Sequence, residues 1–187
     1  MHQDDLISGE FYHLFNRANS QTDQLFYQAR NYHYFLQQWT HYLNDIFEVW
    51  AYCLIPNHYH FLVKLKSCSY KLAIEASRKF TISYTQAINK QQSRRGSLFQ
   101  EHPKRIHIES ESHLLGLIHY IHHNPVHHGL TQKIEEWRFN SYAAILNPVK
   151  SKVEREQVLA LFSGAERFVA FHQQMNDYRR VKGCIAE

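Results

Sequence analysis

The chain has 187 residues, 44% hydrophobic and 20% charged, with 21 basic against 17 acidic side chains and a formal net charge of +4. This is room for one domain with a proper core and a small appendage, and the composition is that of a soluble globular protein. No run approaches the ~18 consecutive apolar residues of a membrane span, and the acidic start Met1-His2-Gln3-Asp4-Asp5 lacks the apolar stretch of a secretory signal, so a cytoplasmic protein is expected.

In chain order, Phe11-Tyr12-His13-Leu14-Phe15 reads as a first strand, closed by polar Asn16-Arg17-Ala18-Asn19-Ser20. Residues 23–43 have helical spacing (Tyr32, Phe35, Leu36, Trp39) and no Gly or Pro. Two strand-like runs, 47–55 and 58–65, meet at Pro56-Asn57, turn chemistry that predicts an antiparallel pair. A second helix is expected over 69–89, then the basic loop Lys90-Gln91-Gln92-Ser93-Arg94-Arg95-Gly96 and a loose strand over 97–108, interrupted at Pro103.

A third helix follows Ser110, an N-cap residue, with Leu114, Leu117, Ile118 and Ile121 forming one apolar stripe. It is expected to stop near Asn124, because the residue before a proline is pushed out of the α region. Short amphipathic pieces over 137–146, 153–162 and 165–178 read as helices. Strand, helix, two strands, helix, strand is the order of an α+β, ferredoxin-like split antiparallel sheet with helices on one face. The expected division is a main unit over 1–146 and a helical extension over 147–187. Cys53, Cys68 and Cys184 lack the spacing of a zinc ribbon or disulfide framework. Cys53 is expected to be buried, and Trp39, Trp50 and Trp137 to be core.

The chemistry concentrates in His58-Tyr59-His60. Alternation along a strand turns His58 and His60 to one face, a natural grip for a divalent metal, and sends Tyr59 to the other as a packing residue. On the third helix Tyr120 and Asn124 stand four apart and share a face, at the flank of the apolar stripe, where they can line a cleft against the sheet. An amide oxygen suits Mg²⁺ or Mn²⁺, whereas imidazole leans toward later metals. Two imidazoles, an amide and a phenol suit phosphoryl transfer, with a metal polarising a phosphodiester and Tyr120 attacking phosphorus. His119, His122 and His123 are candidate bases for the phenol. Arg78, Lys79, Lys90, Arg94, Arg95, Lys104 and Arg105 flank these segments and are candidates for a phosphate-backbone groove.

Ala51-Tyr52-Cys53-Leu54-Ile55-Pro56-Asn57-His58-Tyr59-His60-Phe61 resembles the His-hydrophobic-His (HUH) motif of single-tyrosine transposases, with Tyr59 in the hydrophobic position. Gly96-Ser97-Leu98-Phe99-Gln100-Glu101, Tyr120-Ile121-His122-His123-Asn124-Pro125-Val126-His127-His128-Gly129-Leu130 and Trp137-Arg138-Phe139-Asn140-Ser141-Tyr142 resemble, in order, further blocks of REP-associated tyrosine transposases. The resemblance runs from about Gly9 to Tyr142. It implies metal ligation by His58, His60 and Asn124, with Mg²⁺ or Mn²⁺, and Tyr120 as a nucleophile forming a 5′-phosphotyrosine and releasing a 3′-hydroxyl. It also implies single-stranded or hairpin DNA as partner, no ATP and no membrane, with either a homodimer or a monomer and Tyr120 serving its own site or a partner's. Two rivals remain at this point: a catalytically inactive, domesticated nucleic-acid-binding module, and a small-substrate metal phosphoesterase that activates water at the His pair.

Overall fold

The computed structural model describes residues 6–20, 24–100, 103–149 and 151–174. Residues 175–187, with Cys184 and the end of the last expected helix, lie outside that set. The β2 strand Phe47–Ile55 and β3 strand His58–Leu65 form the expected hairpin, turning at Pro56-Asn57. The first strand, β1, is Phe11–Arg17, and the last, β4, is Lys104–Ile108. All pairings are antiparallel, in the order β2-β3-β1-β4. With helices α1 (Ala29–Leu43) and α2 (Tyr70–Gln91) in the two crossovers, this is the split sheet expected from the element order.

α1 and α2 cover one face. Trp39 stacks flat on Phe61 at 3.7 Å between ring centroids, and Phe35 meets Phe80 edge-on at 4.9 Å. Aromatic pairs of this kind contribute about 0.5–1.5 kcal/mol beyond their buried area. Helix α3 (Glu111–His127) crosses the other face, mainly against β2, so the sheet is covered on both sides. Its stripe Leu114, Leu117, Ile118 and Ile121 is buried as expected, but so are His119, Tyr120, His122 and Asn124.

Tyr120 and Asn124 face the sheet; for the histidines the reason lies in the C-terminal elements: a 3₁₀ turn at Ile134–Glu136, then α4 (Tyr142–Leu146), α5 (Arg155–Leu161) and α6 (Ala165–Gln174). Phe139 and Ser141 hydrogen-bond along the outer edge of β2, at 2.9 Å each to Leu54 and Tyr52, which blunts that edge. Beyond residue 147, the Glu154 N–H donates to the Val49 carbonyl at 2.9 Å, and Phe168 is fully buried. Trp39 and Trp50 are core; Trp137 is half-buried, its Nε1 donating to the Leu54 carbonyl at 2.8 Å. Cys53 is a buried free thiol, pushed up by burial.

Four element boundaries differ from the sequence expectation. The helix expected over 137–146 forms only as α4, because Phe139 and Ser141 bond to β2 instead. α1 starts at Ala29, not near residue 23: the Leu25 and Phe26 N–H groups donate to the Pro56 carbonyl, and Asn31 Oδ1 accepts from Tyr27 and Gln28, closing a cap there. β4 is confined to five residues, with Leu98 and Phe99 buried as a short loop that bridges Ala18. α3 does not stop at Asn124 but carries Pro125 inside its last turn. Asn124 stays helical, its carbonyl accepting from His128 N at 3.0 Å, and both Asn124 and Pro125 are buried. Packing on both sides of the helix outweighs the local preference of a pre-proline residue.

Candidate metal and phosphate site

β3 begins at His58 because the Pro56-Asn57 turn ends there, and the alternation of the strand then sets the faces. His58 and His60 project toward α3, paired in register with Arg17 and Phe15 of β1. Tyr59 projects the other way, packs at 5.1 Å against Phe35 and is buried, which drives its phenol strongly upward. Its expected role as a packing residue is what the structure shows.

α3 supplies the other half. His58 Nε2 lies 3.1 Å from Asn124 Oδ1, and Asn124 Nδ2 lies 3.4 Å from His60 Nε2, so one amide spans the two imidazoles. One turn earlier, the Tyr120 ring stands edge-on to His60 at 5.4 Å. The four residues singled out in sequence therefore converge. Their access to solvent differs: His58 is half-buried, while His60, Asn124 and Tyr120 are within 2% of fully buried. The opening, a cavity of about 150 Å³, is lined by His58 and His60 with Phe15, Arg17, Lys104 and His128. Tyr120 does not line it.

Both imidazoles are held at Nδ1. His58 Nδ1 is 2.9 Å from Asn57 Oδ1, and its Nε2 faces the Asn124 oxygen. His60 Nδ1 is 2.9 Å from His13 Nε2 on the adjacent strand. Burial, with the nearby charge of His113, lowers His13 to about 3. Burial, then His13, His58 and His128, holds His60 well below the ordinary imidazole range. A pair of imidazoles oriented through their outer nitrogens is the usual way such side chains present Nε2 to a metal.

The donor set fits a divalent cation. His58 Nε2 and Asn124 Oδ1 stand 3.1 Å apart, the spacing of two neighbouring metal ligands. Adjacent ligands of an octahedral Mg²⁺, each about 2.0–2.1 Å from the ion, stand about 3 Å apart. The set is two imidazoles and an amide; among the described residues, no three His, Cys, Asp or Glu side chains are grouped to hold a metal.

The other candidates separate. His119, His122 and His123 face α6, not Tyr120's side of the helix. His122 is bonded to His172 Nε2 at 2.9 Å and Ser141 Oγ at 2.8 Å, His123 to the His172 carbonyl at 3.0 Å, and His119 stacks on His123 at 4.1 Å. Of the seven basic residues, Lys104 lines the His58–His60 opening. Arg78 and Arg105 border a different cavity across the sheet, Lys79 pairs with Glu75 at 2.8 Å, and Lys90 and Arg95 are exposed. Arg94 ties its loop together through Asn89 Oδ1 at 3.0 Å and the Ser97 carbonyl at 3.3 Å. Sequence reading missed His13, Asn57, Arg17 and His128. Asn57 and His128 sat inside blocks already singled out; His13 and Arg17 carried no signal beyond their place on a strand paired with the motif.

No protein-family model matches the chain. It is 27% identical over 105 residues to a putative REP-associated tyrosine transposase of Haemophilus influenzae, covering 51% of this chain and 59% of that protein. The chain thus spans well under two thirds of that relative's length. Its fold matches a solved REP-associated tyrosine transposase bound to a REP hairpin, with a TM-score of 0.67 and 18% identity over 81% of this chain and 88% of that one.

Proposed function

We propose that this chain, a relative of the REP-associated tyrosine transposases in sequence and fold, cleaves and rejoins single-stranded DNA carrying a hairpin, using Tyr120 as nucleophile and Mg²⁺ or Mn²⁺ as cofactor. The observation that carries the reading is the Asn124 amide spanning His58 and His60 with Tyr120 beside them. The hairpin in the structural neighbour supports the choice of substrate.

In this reading His58 Nε2, His60 Nε2 and Asn124 Oδ1 hold the metal. A metal so held supplies Lewis-acid polarisation of the scissile phosphate. Asn57 and His13 fix the two imidazoles, and Lys104 and Arg17 at the opening take neighbouring phosphates. Tyr120 Oη attacks phosphorus; the new P–O bond forms as the bond to the 3′-oxygen breaks. The phenol gives up its proton and the leaving oxygen gains one, so a 5′-phosphotyrosine and a 3′-hydroxyl result. The reverse attack rejoins the strand. Because Tyr120 is buried, cleavage requires its ring or the end of α3 to move so that Oη reaches the opening.

That same burial favours a second reading, a hairpin-binding module in which Tyr120 is a packing residue. One experiment separates the two. Hairpin DNA is incubated with the protein and Mg²⁺ or Mn²⁺ and run on a denaturing gel. A covalent adduct that is lost in Tyr120→Phe supports the nuclease. An adduct that persists in Tyr120→Phe removes Tyr120 as nucleophile, and salt-sensitive binding with no adduct under either metal supports the idle module.

A further inference from the structure

On the face of the sheet opposite His58 and His60, a cavity of about 340 Å³ opens beneath α2. Its size falls within the range of about 300–1,000 Å³ typical of small-ligand sites. Leu14, Trp39, Tyr59, Phe80 and Phe99 form an apolar, largely aromatic floor. Arg78 of α2 and Lys104 and Arg105 of β4 form a basic rim, and no Asp or Glu among the described residues lines it. Arg105 is oriented by Tyr70, donating to its hydroxyl at 3.2 Å and lying 5.4 Å from its ring centre.

Two details say more about the ligand. Trp39 is 5% exposed and fixed by its stack on Phe61, yet its Nε1–H has no hydrogen-bond partner, an uncommon state for a buried donor. And Gln100 and Lys104 line both this cavity and the His58–His60 opening, so the two adjoin at the start of β4. An aromatic floor, an unpartnered indole N–H and a basic rim suit a flat ring with acceptor edges attached to an anionic backbone.

We propose that this cavity receives an unpaired nucleotide of the same DNA strand that occupies the His58–His60 site, its base against the aromatic floor and its phosphates at Arg78, Lys104 and Arg105. The inference rests on the DNA-processing reading above. It accounts for basic residues that the fold places away from the metal site.

The test compares labelled hairpins that carry a short unpaired oligothymidylate flank, an abasic flank of equal length, or no flank. Wild-type protein is expected to bind the thymidylate flank on the order of tenfold more tightly than the abasic one. Ser77→Trp, which fills the cavity from α2, is expected to abolish that preference while keeping affinity for the flankless hairpin. Arg78→Gln, on the exposed side of α2, is expected to lower the salt dependence of flank binding by roughly one counterion. Equal affinity for thymidylate and abasic flanks in wild type, or an undiminished preference in folded Ser77→Trp, overturns the proposal and leaves hairpin binding standing. Competition of the flank by free thymidine monophosphate supports a nucleotide site. Failure to bind any hairpin overturns both this inference and the reading it rests on.

Discussion

His13 Nε2 lies 2.9 Å from His60 Nδ1, and both imidazoles are buried to within 2%. The outer nitrogen of a candidate metal ligand is thus held by a neutral ring, where a carboxylate or carbonyl often stands. With His60 Nε2 free to face Asn124, Nδ1 must carry the proton and donate to His13, which in turn keeps its own proton on Nδ1. Among the described residues, the side chains that hold these two ligands are Asn57 and His13, neither of them a carboxylate.

Replacing His13 by Ala is therefore expected to lower Mn²⁺ affinity by about 10–100-fold, the usual effect of losing an outer partner. It also leaves a buried N–H unmatched, costing about 1–3 kcal/mol of stability. Titration calorimetry and thermal unfolding measure the two effects separately. Unchanged Mn²⁺ affinity in a folded His13→Ala protein refutes the orienting role.

Asn124 is the junction of the site, and its substitutions should split in sign. Asn124→Asp puts a carboxylate between two imidazoles, so Mn²⁺ affinity is expected to rise while the metal-free protein becomes less stable from a buried charge. Asn124→Ala removes the oxygen ligand and is expected to bind Mn²⁺ at least about tenfold more weakly. Melting curves with and without Mn²⁺ read both effects. A stabilising response to Mn²⁺ that is identical in wild type, Asp and Ala proteins places the ion elsewhere.

The β2–β3 hairpin was legible because two independent signals agreed: Pro56-Asn57 at the turn and alternation on either side. The same alternation separated Tyr59 from His58 and His60. Convergence with Tyr120 and Asn124 was implied by the family resemblance and not by any local pattern. What local pattern could not show was set by packing. The end of α3 passes through Pro125 because that turn is enclosed, and the histidines offered as bases for Tyr120 are drawn to the other side by α6. The basic residues were grouped by sequence neighbourhood, yet Lys104 pairs with Phe15 and Arg105 with Leu14, so they leave opposite faces of one strand. His13 was invisible as a lone histidine until β1 was paired with β3.

Between α3 and α6 the imidazoles predict a pH dependence. Burial, together with neighbouring histidines, lowers His119 to about 3 and holds His122 well below its ordinary range; burial leads the lowering of His172 to about 4. These groups stay neutral in the fold but take up protons near pH 6.5 when unfolded. The unfolded state then binds more protons, so stability is full above about pH 6.5 and declines as pH falls toward about 4. Thermal melts across this window are expected to show a falling midpoint, with a shallower fall in His172→Gln. A midpoint independent of pH from 7 to about 4 contradicts the coupling.

Lys104 tests the placement of the phosphate groove. It lines the His58–His60 opening and sits over the Phe15 ring at 5.6 Å, whereas Lys79 is tied to Glu75 on the exposed side of α2. Lys104→Gln should weaken binding of a flankless hairpin and flatten the plot of log affinity against log salt by about 0.7–0.9, the contribution of one phosphate contact. Lys79→Gln should leave that slope unchanged, because an exposed pair of this kind is worth little and reaches neither cavity. The two variants differ by the same single charge. A flatter slope in Lys79→Gln than in Lys104→Gln therefore moves the DNA path off the His58–His60 face and onto the outer surface of α2.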